Sequence, residues 1–163
     1  VDWRPEWNVL DIGCGGGANV KRLLKLCPQG KVYGMDLSEE SVAFARRHNA
    51  GELDRRCFIQ QGDVCSLPYG DGAFDAVTAF ETVYFWSSVS KALAEVFRVI
   101  RKGGCFLISL EASDPELGKA WTERIKGMTV YGAEELKQLL SQAGFSDIRV
   151  IQKKEELHIV AHK

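Results

Sequence analysis

The 163-residue sequence predicts an α/β domain built on a mostly parallel β-sheet. Short apolar runs of strand length alternate along the chain with longer segments whose apolar residues recur at helical spacing. The composition, 45% hydrophobic and 26% charged, is that of an ordinary globular domain. A chain of this length buries about 70% of the surface that its unfolded form exposes. We therefore expect one domain over residues 1–163 that needs neither disulfides nor structural metal.

The first half of the chain predicts three strands and two helices. The first strand is an apolar run that contains one carboxylate and leads into a glycine-rich turn, and Pro28 ends the first helix. Ser38 is placed to cap the second helix, whose first turn holds two glutamates that the helix dipole favours. The predicted strands are Val9–Ile12, Lys31–Asp36 and Arg56–Gln61, and the predicted helices are Val20–Cys27 and Ser38–Gly51.

The second half predicts four strands and three helices. Turn-forming residues precede its first strand, and the helix that follows that strand carries a continuous apolar face. We expect the pair Gly103-Gly104 to end this helix and Gly144 to cap the last one. The predicted strands are Phe74–Phe80, Cys105–Leu110, Asp147–Gln152 and Leu157–Ala161, the last two joined by the charged Lys153–Glu156, and the predicted helices are Ser87–Ile100, Leu117–Ile125 and Gly132–Gly144.

The candidate binding site lies at the carboxyl ends of the first three strands, where open α/β sheets bind ligands. Asp11 lies in the first strand, just before Gly13–Gly17, a run with four glycines that lets the backbone bend and approach a ligand closely. Asp36 ends the second strand, where a carboxylate can accept hydrogen bonds from both ribose hydroxyls of an adenosine. Asp63 follows the third strand and can accept a hydrogen bond from an adenine amine. The site is therefore predicted to bind an adenosine.

Two classes of cofactor fit this pattern. Gly13, Gly15 and Ala18 have the spacing of a dinucleotide fingerprint, so an NAD-dependent oxidoreductase is one alternative. S-adenosylmethionine is the other, and it places a cationic amino group and a sulfonium near the turn. Asp11 would repel a pyrophosphate but attract these cations, so it favours S-adenosylmethionine. A non-catalytic cofactor-binding domain is a third alternative.

Longer motifs resemble those of a known family. They are Val9–Gly17 with the glycine turn, Gly62–Tyr69 and Gly72–Val77 around the fourth strand, and Val96–Gly104. In order and spacing they are similar to class I S-adenosylmethionine-dependent methyltransferases of the methyltransferase-11 group, which includes ubiquinone- and menaquinone-biosynthesis-like enzymes. The resemblance covers nearly the whole chain, although Lys102 stands where this group commonly has proline.

The resemblance implies a Rossmann-like, doubly wound sheet of seven strands whose last strand is antiparallel. Because eight residues precede the first strand, the N-terminal lid helices common in this group are expected to be absent. The resemblance also implies which residues contact the cofactor: Asp11, Gly13, Cys14 and Gly15 around its methionine part, Asp36 and Leu37 at the ribose and adenine, Asp63 and Val64 at the adenine edge, and Phe80 at the methionine amine through its carbonyl.

Methyl transfer from a sulfonium is an in-line displacement in which well-oriented reactants can gain about 7–11 kcal/mol. An acid–base residue is therefore not obligatory. An acceptor that must lose a proton needs a base within reach, and the candidates after the fourth and fifth strands are Glu81, Tyr84 and Glu111. The aromatic run Tyr84–Trp86 can line an acceptor pocket or simply cover the sheet. No histidine is assigned a catalytic role, and no metal site is predicted.

Charge and motif content favour a small-molecule acceptor. The formal net charge of −1 lacks the basic excess typical of nucleic-acid binding. Phe80–Val83 also lacks the Asn/Asp-Pro-Pro-aromatic motif of nucleic-acid amino-methylating enzymes. Five widely spaced cysteines predict reduced, mostly buried thiols. With no bilayer-length apolar run and no secretory signal pattern, we expect a cytoplasmic monomer or homodimer with no membrane or nucleic-acid partner.

Overall fold

The structure, a computed structural model, describes residues 1–116, 118–154 and 156–163. Within these residues a 3₁₀ turn, Val83–Phe85, follows the fourth strand. The strands are β1 (Val9–Ile12), β2 (Val32–Asp36), β3 (Cys57–Gln61), β4 (Phe74–Phe80), β5 (Ile100–Leu110), β6 (Ser146–Lys153) and β7 (Glu156–His162). The helices are α1 (Ala18–Leu26), α2 (Glu39–His48), α3 (Val89–Val99), α4 (Lys119–Arg124) and α5 (Ala133–Gln142).

One seven-stranded sheet has the strand order β3-β2-β1-β4-β5-β7-β6. β1 pairs in parallel with β2 and β4, and the pairs β2–β3 and β4–β5 are also parallel. β7 runs antiparallel to both of its neighbours, β5 and β6. This topology confirms the predicted α/β, doubly wound, mostly parallel sheet with an antiparallel last strand. Among the described residues, no helix is long and apolar enough to cross a membrane.

Alternate residues of each central strand contribute to two cores on opposite faces of the sheet. Val9 in β1 packs with Leu23 of α1 in one core, whereas the adjacent Leu10 packs with Leu93 of α3 and Leu136 of α5 in the other. Each of these five side chains is 2% exposed or less. Helices therefore cover both faces, and the carboxyl ends of the parallel strands meet at one edge of the sheet.

Two of the predicted helix ends agree with the structure. The Ser38 hydroxyl accepts a hydrogen bond from the Ser41 amide at 3.2 Å, which confirms Ser38 as the N-cap of α2. Gly144 follows α5 with a φ of 106°, as a terminal glycine does. The predicted helix Leu117–Ile125 is Lys119–Arg124 in the structure, and its expected first residue, Leu117, lies outside the described residues, as does Glu155 of the Lys153–Glu156 connection.

The prediction that Gly103-Gly104 ends the third helix is wrong. α3 ends at Val99, and β5 begins at Ile100, which is fully buried and pairs with Phe74 of β4. The glycines instead lie inside β5, where the pairing with β4 shifts register. Gly103 has a φ of 74°, and a β-carbon on Gly104 would lie 2.6 Å from the Asp75 carbonyl oxygen. The pair therefore serves an irregularity in the strand.

The loop after β3 is fastened to α3 by Glu95 and Arg98. The Arg98 guanidinium donates to the carbonyls of Leu67 at 3.0 Å and Tyr69 at 2.7 Å, and to carboxylate oxygens of Glu95 at 2.8 Å and Asp71 at 2.9 Å. Glu95 in turn accepts from the Leu67 amide at 2.7 Å. Because the guanidinium presents several donors in a fixed geometry, it holds the loop at more than one point. These hydrogen bonds hold in place the loop that follows β3 at the carboxyl edge of the sheet.

Gly104→Ala is expected to lower the free energy of unfolding by about 1–3 kcal/mol, because the new β-carbon forces apart backbone atoms of β4 and β5. Gly51→Ala is the matched control, since nothing lies within 4 Å of a β-carbon added there. Chemical denaturation of the two variants measures the difference. Equal stabilities would contradict the role assigned to Gly104.

Arg98→Lys is expected to cost about 2 kcal/mol of unfolding free energy, the scale of one charged hydrogen bond, because an ammonium cannot reach all four groups from one position. Arg101→Lys is the control, because Arg101 forms its ion pair with Asp75, at 2.7 Å, outside the loop. Denaturation curves compare the two, and limited proteolysis should cut Arg98→Lys faster within the loop after β3. Unchanged cleavage there would count against the fastening role.

Candidate active site

A cavity of about 520 Å³ opens at the carboxyl edge of the sheet, beyond the ends of β1, β2, β3 and β4. This volume lies within the range of small-molecule and cofactor sites. Each of the four strands is followed by residues that line the cavity. The described lining residues are Ile12, Gly13, Met35, Asp36, Leu37, Ser38, Gly62, Asp63, Val64, Glu81, Thr82, Phe85, Trp86 and Ser87.

The Asp36 carboxylate holds the glycine turn against the end of β2. Its Oδ2 accepts from the Gly15 amide at 2.8 Å, and its Oδ1 accepts from the Ser38 amide at 2.9 Å. The amides of Gly13 and Cys14 both donate to the Met35 carbonyl, at 2.7 and 3.0 Å. Three successive amides of the turn are therefore engaged within the protein. A dinucleotide pyrophosphate would need such amides free, so this arrangement does not favour the NAD alternative.

Gly13 is required at its position for two reasons. Its φ is 68°, in the left-handed region that favours glycine. A β-carbon there would also overlap the side chain of Thr82, which follows β4. The turn after β1 thus packs directly on the segment after β4, and this contact joins the lining residues that follow these two strands. Thr82 was not singled out from the sequence, because the contact joins segments far apart in the chain.

Asp11 is buried next to the turn, at 1% exposure, and does not itself line the cavity. The Thr78 hydroxyl donates to its Oδ1 at 2.7 Å, whereas Oδ2 has no hydrogen-bond partner among the described residues. Burial raises the pKa of Asp11 to about 7, the Thr78 hydrogen bond acts against this rise, and the charge of Asp36 adds to it. A buried carboxyl oxygen without a partner, directly before cavity-lining Ile12 and Gly13, fits a cationic ligand held over the turn.

The adenine side of the predicted site is formed by residues after β2 and β3. Asp63 is exposed to the cavity, and its Oδ1 accepts from the Cys65 amide at 2.8 Å. Val64 is 6% exposed, whereas Leu37 is 69% exposed at the rim. These three residues line the same cavity as Asp36. The residues predicted for the ribose and adenine are therefore brought together, although their contacts to a cofactor stay a prediction.

Glu81 is held at the far side of the cavity by Tyr84. Glu81 adopts a positive φ of 55°, which costs a residue with a β-carbon about 1–3 kcal/mol. The Tyr84 hydroxyl donates to Glu81 Oε2 at 3.0 Å and accepts from the Ala112 amide at 2.9 Å. Partial desolvation raises the pKa of Glu81, and the nearby charge of Glu111 adds to the rise. Glu81 and Tyr84 thus form one hydrogen-bonded unit, with Glu81 facing the cavity.

Several predicted site residues lie away from the cavity lining. The Cys14 side chain is buried in the core beside α1 and α2, where burial raises the pKa of its thiol far above the usual value. Gly15, Phe80, Tyr84 and Glu111 are also outside the lining, although the Gly15 amide donates to Asp36 and the Tyr84 hydroxyl donates to Glu81. Their roles stay predictions. Among the described residues, no group of three or more His, Cys, Asp or Glu side chains can hold a metal ion.

Comparison with known proteins identifies the family. A family model described as Methyltransferase domain (Methyltransf_11) matches residues 10–108. A demethylmenaquinone methyltransferase of Symbiobacterium thermophilum is 36% identical over 115 residues, which cover 69% of this chain and 45% of that protein. A fatty-acid O-methyltransferase of Mycolicibacterium smegmatis is 38% identical over 100 residues, which cover 61% of this chain and 35% of that protein. The chain thus spans less than half the length of these relatives.

Solved structures agree on the fold. The YcgJ protein of Bacillus subtilis is 28% identical, with a TM-score of 0.79 over 91% of this chain and 65% of that one. A Haemonchus contortus phosphoethanolamine N-methyltransferase, solved with S-adenosyl-L-methionine, has a TM-score of 0.85 at 17% identity, over 98% of this chain and 49% of that one. Since the family model spans β1 through most of β5, and with them every strand end that meets the cavity, the chain belongs to the class I S-adenosylmethionine-dependent methyltransferases of the methyltransferase-11 group.

Proposed function

We propose that this chain transfers the methyl group of S-adenosylmethionine to a small-molecule acceptor. The observation that carries the proposal is a single cavity that joins Asp36 and Asp63, at the ends of β2 and β3, to Glu81 after β4. The first two carboxylates suit an adenosine, and the third is left for a second molecule. A cavity of about 520 Å³ in which both meet suits small molecules rather than a polymer.

Segments at the ends of four strands, β1 to β4, hold the cofactor in this proposal. Asp36 accepts hydrogen bonds from the ribose hydroxyls, and Leu37, Asp63 and Val64 surround the adenine, with Asp63 accepting from its amine. The glycine turn and the Phe80 carbonyl receive the methionine part, whose positive charge lies near Asp11. When bound, S-adenosylmethionine supplies an activated methyl group that an acceptor can take by in-line displacement.

The remaining lining residues orient the acceptor and exclude water. Trp86 is 9% exposed and stacks on Phe106, with ring centroids 6.4 Å apart and planes 14° from parallel. Phe85 is 50% exposed at the cavity wall. Glu81, in contact with Tyr84, takes the proton that an acceptor loses. Orientation alone can lower the activation free energy by several kcal/mol. Glu81 therefore assists a reaction that positioning already favours.

Asp36→Asn is expected to weaken binding of S-adenosylhomocysteine at least tenfold, because each charged hydrogen bond to a ribose hydroxyl contributes about 1.5–3 kcal/mol. Calorimetry measures the dissociation constant. Asp54→Asn is the matched control, on an exposed aspartate remote from the lining. Because Asp36 also holds the glycine turn, the melting temperature of the free variant is measured too. Unchanged affinity in a folded Asp36→Asn protein would contradict the proposed site.

Cofactor affinity is expected to rise as the pH rises through about 7. The folded carboxyl of Asp11 is protonated below its pKa of about 7, and a cation nearby favours the ionised form. Binding below pH 7 must therefore expel a proton, so the dissociation constant of S-adenosylhomocysteine should be about tenfold higher at pH 6 than at pH 7.5. Asp11→Asn should remove this dependence, and Asp54→Asn should keep it. A pH-independent affinity in the unmodified protein would overturn the role given to Asp11.

A further inference from the structure

The described lining of the cavity is acidic. It includes the carboxylates Asp36, Asp63 and Glu81, and no lysine, arginine or histidine. An anionic acceptor placed there would be desolvated next to these carboxylates, with no lysine, arginine or histidine of the described lining to pair with, which is costly. The carboxylates of the lining therefore disfavour acceptors that carry a carboxylate or a phosphate.

The acceptor side of the cavity combines this charge with aromatic surface. Phe85 and Trp86 line the same cavity as Glu81. Trp86 is fixed by its stacking on Phe106, and Phe85 packs edge-to-face on Tyr84, with ring centroids 5.9 Å apart. Aromatic faces attract organic cations and also pack against apolar rings. One carboxylate beside two aromatic rings is a combination that recognises an ammonium group on an apolar body.

The Glu81 carboxylate is also fixed in place before any acceptor binds. The chain Ala112 amide to Tyr84 hydroxyl to Glu81 Oε2 holds it through distances of 2.9 and 3.0 Å. The Glu81 amide donates to the Ser109 carbonyl at 3.0 Å, which anchors the strained backbone to β5. A carboxylate held in this way can pair with a cation without first losing its own side-chain freedom.

From these observations, and resting on the proposed function, we infer that the methyl acceptor is an amine carried on an apolar, ring-bearing molecule, with Glu81 as the carboxylate that binds its nitrogen. The ammonium form pairs with Glu81 and loses one proton to this carboxylate, which passes it to water at the open mouth of the cavity. The raised pKa of Glu81 makes the carboxylate a better proton acceptor than an exposed glutamate.

Methyl transfer to the amine needs no reactant other than S-adenosylmethionine. The lone pair of the neutral amine attacks the methyl carbon, and the new N–C bond forms as the S–C bond breaks. The electron pair of that bond stays on sulfur, which becomes a neutral thioether, and the positive charge passes to the methylated nitrogen. The product ammonium again faces Glu81.

The inference is tested with three probes of similar skeleton: 2-phenylethylamine, 4-ethylphenol and 3-phenylpropanoate. Calorimetry measures their binding to the protein saturated with S-adenosylhomocysteine, and a separate assay follows S-adenosylhomocysteine release from S-adenosylmethionine. We expect the amine to bind at least tenfold more tightly than the carboxylate and to be methylated in preference to the phenol. Tighter binding or faster methylation of the phenol or the carboxylate would overturn the inference.

Glu81→Gln separates the role of the carboxylate from the fold. The variant should bind S-adenosylhomocysteine normally but lose amine affinity at least tenfold, and its amine methylation should fall about 100-fold, the low end for removal of a general base. Glu134→Gln, on the exposed face of α5, is the control and should change neither value. Tyr84→Phe should lower amine affinity less than Glu81→Gln does. Equal amine binding by the protein with and without the Glu81 carboxylate would overturn the inference.

The outcomes also distinguish this inference from the proposed function. If S-adenosylmethionine binds and the phenol or carboxylate is methylated, the acceptor class is wrong and the proposed function stands. If neither S-adenosylmethionine nor S-adenosylhomocysteine binds, the proposed function fails and the inference fails with it. If the cofactor binds and none of the three probes is bound or methylated, the amine assignment is overturned.

Discussion

The site depends on one buried carboxyl group. Asp11 lies inside the sheet with a single hydroxyl partner on one oxygen and no partner among the described residues on the other. An ionised carboxylate in this position is costly, so the folded protein keeps it protonated up to about pH 7. In the proposed function, a cation held at the adjoining glycine turn offsets this cost. The proposed site therefore gains its preference for a positively charged ligand from this buried carboxyl group.

Asp36 holds the glycine turn and is also proposed to bind the ribose, and the two roles are compatible. Its carboxylate already accepts two backbone hydrogen bonds, from Gly15 and Ser38, which keep the turn closed against β2. A carboxylate has more acceptor sites than these two donors occupy, so ribose hydroxyls can bind without the turn being released. In the proposed function, the same residue shapes the site before the ligand arrives and holds the ligand afterwards. The turn needs glycines because its backbone must approach the Asp36 carboxylate closely while bending sharply.

Sequence patterns predicted the order of strands and helices, the ends of α2 at Ser38 and of α5 at Gly144, and the acidic residues at the strand ends, because these follow from periodicity and from signals within a few residues. The contacts that complete the site were not predictable in that way. Thr78 is one hydroxyl in an apolar strand, and only the pairing of β1 with β4 shows that it meets Asp11. Thr82 and Gly13, or Arg98 and the loop after β3, likewise meet only in the folded chain. The role of Gly103-Gly104 was predicted wrongly because a glycine pair after a helix can either end that helix or lie at an irregularity in the next strand. The pairing of Phe74 with Ile100 shows that the strand has already begun before the two glycines.

The two halves of the cavity are built by different means, and this affects how each can change. The half proposed to bind the cofactor lies mainly at the ends of β1, β2 and β3, so its carboxylates are fixed by the sheet. The half proposed to bind the acceptor follows β4, where the chain leaves the sheet through the strained Glu81 and a 3₁₀ turn, and its geometry depends on the Tyr84 hydroxyl and the Ala112 amide. Substitutions between residues 81 and 87 can therefore alter the charge and shape offered to the acceptor while leaving Asp36 in place. A fold arranged in this way can keep its cofactor site while its acceptor chemistry changes, so in the proposed function the choice of acceptor lies with Glu81 and its aromatic neighbours.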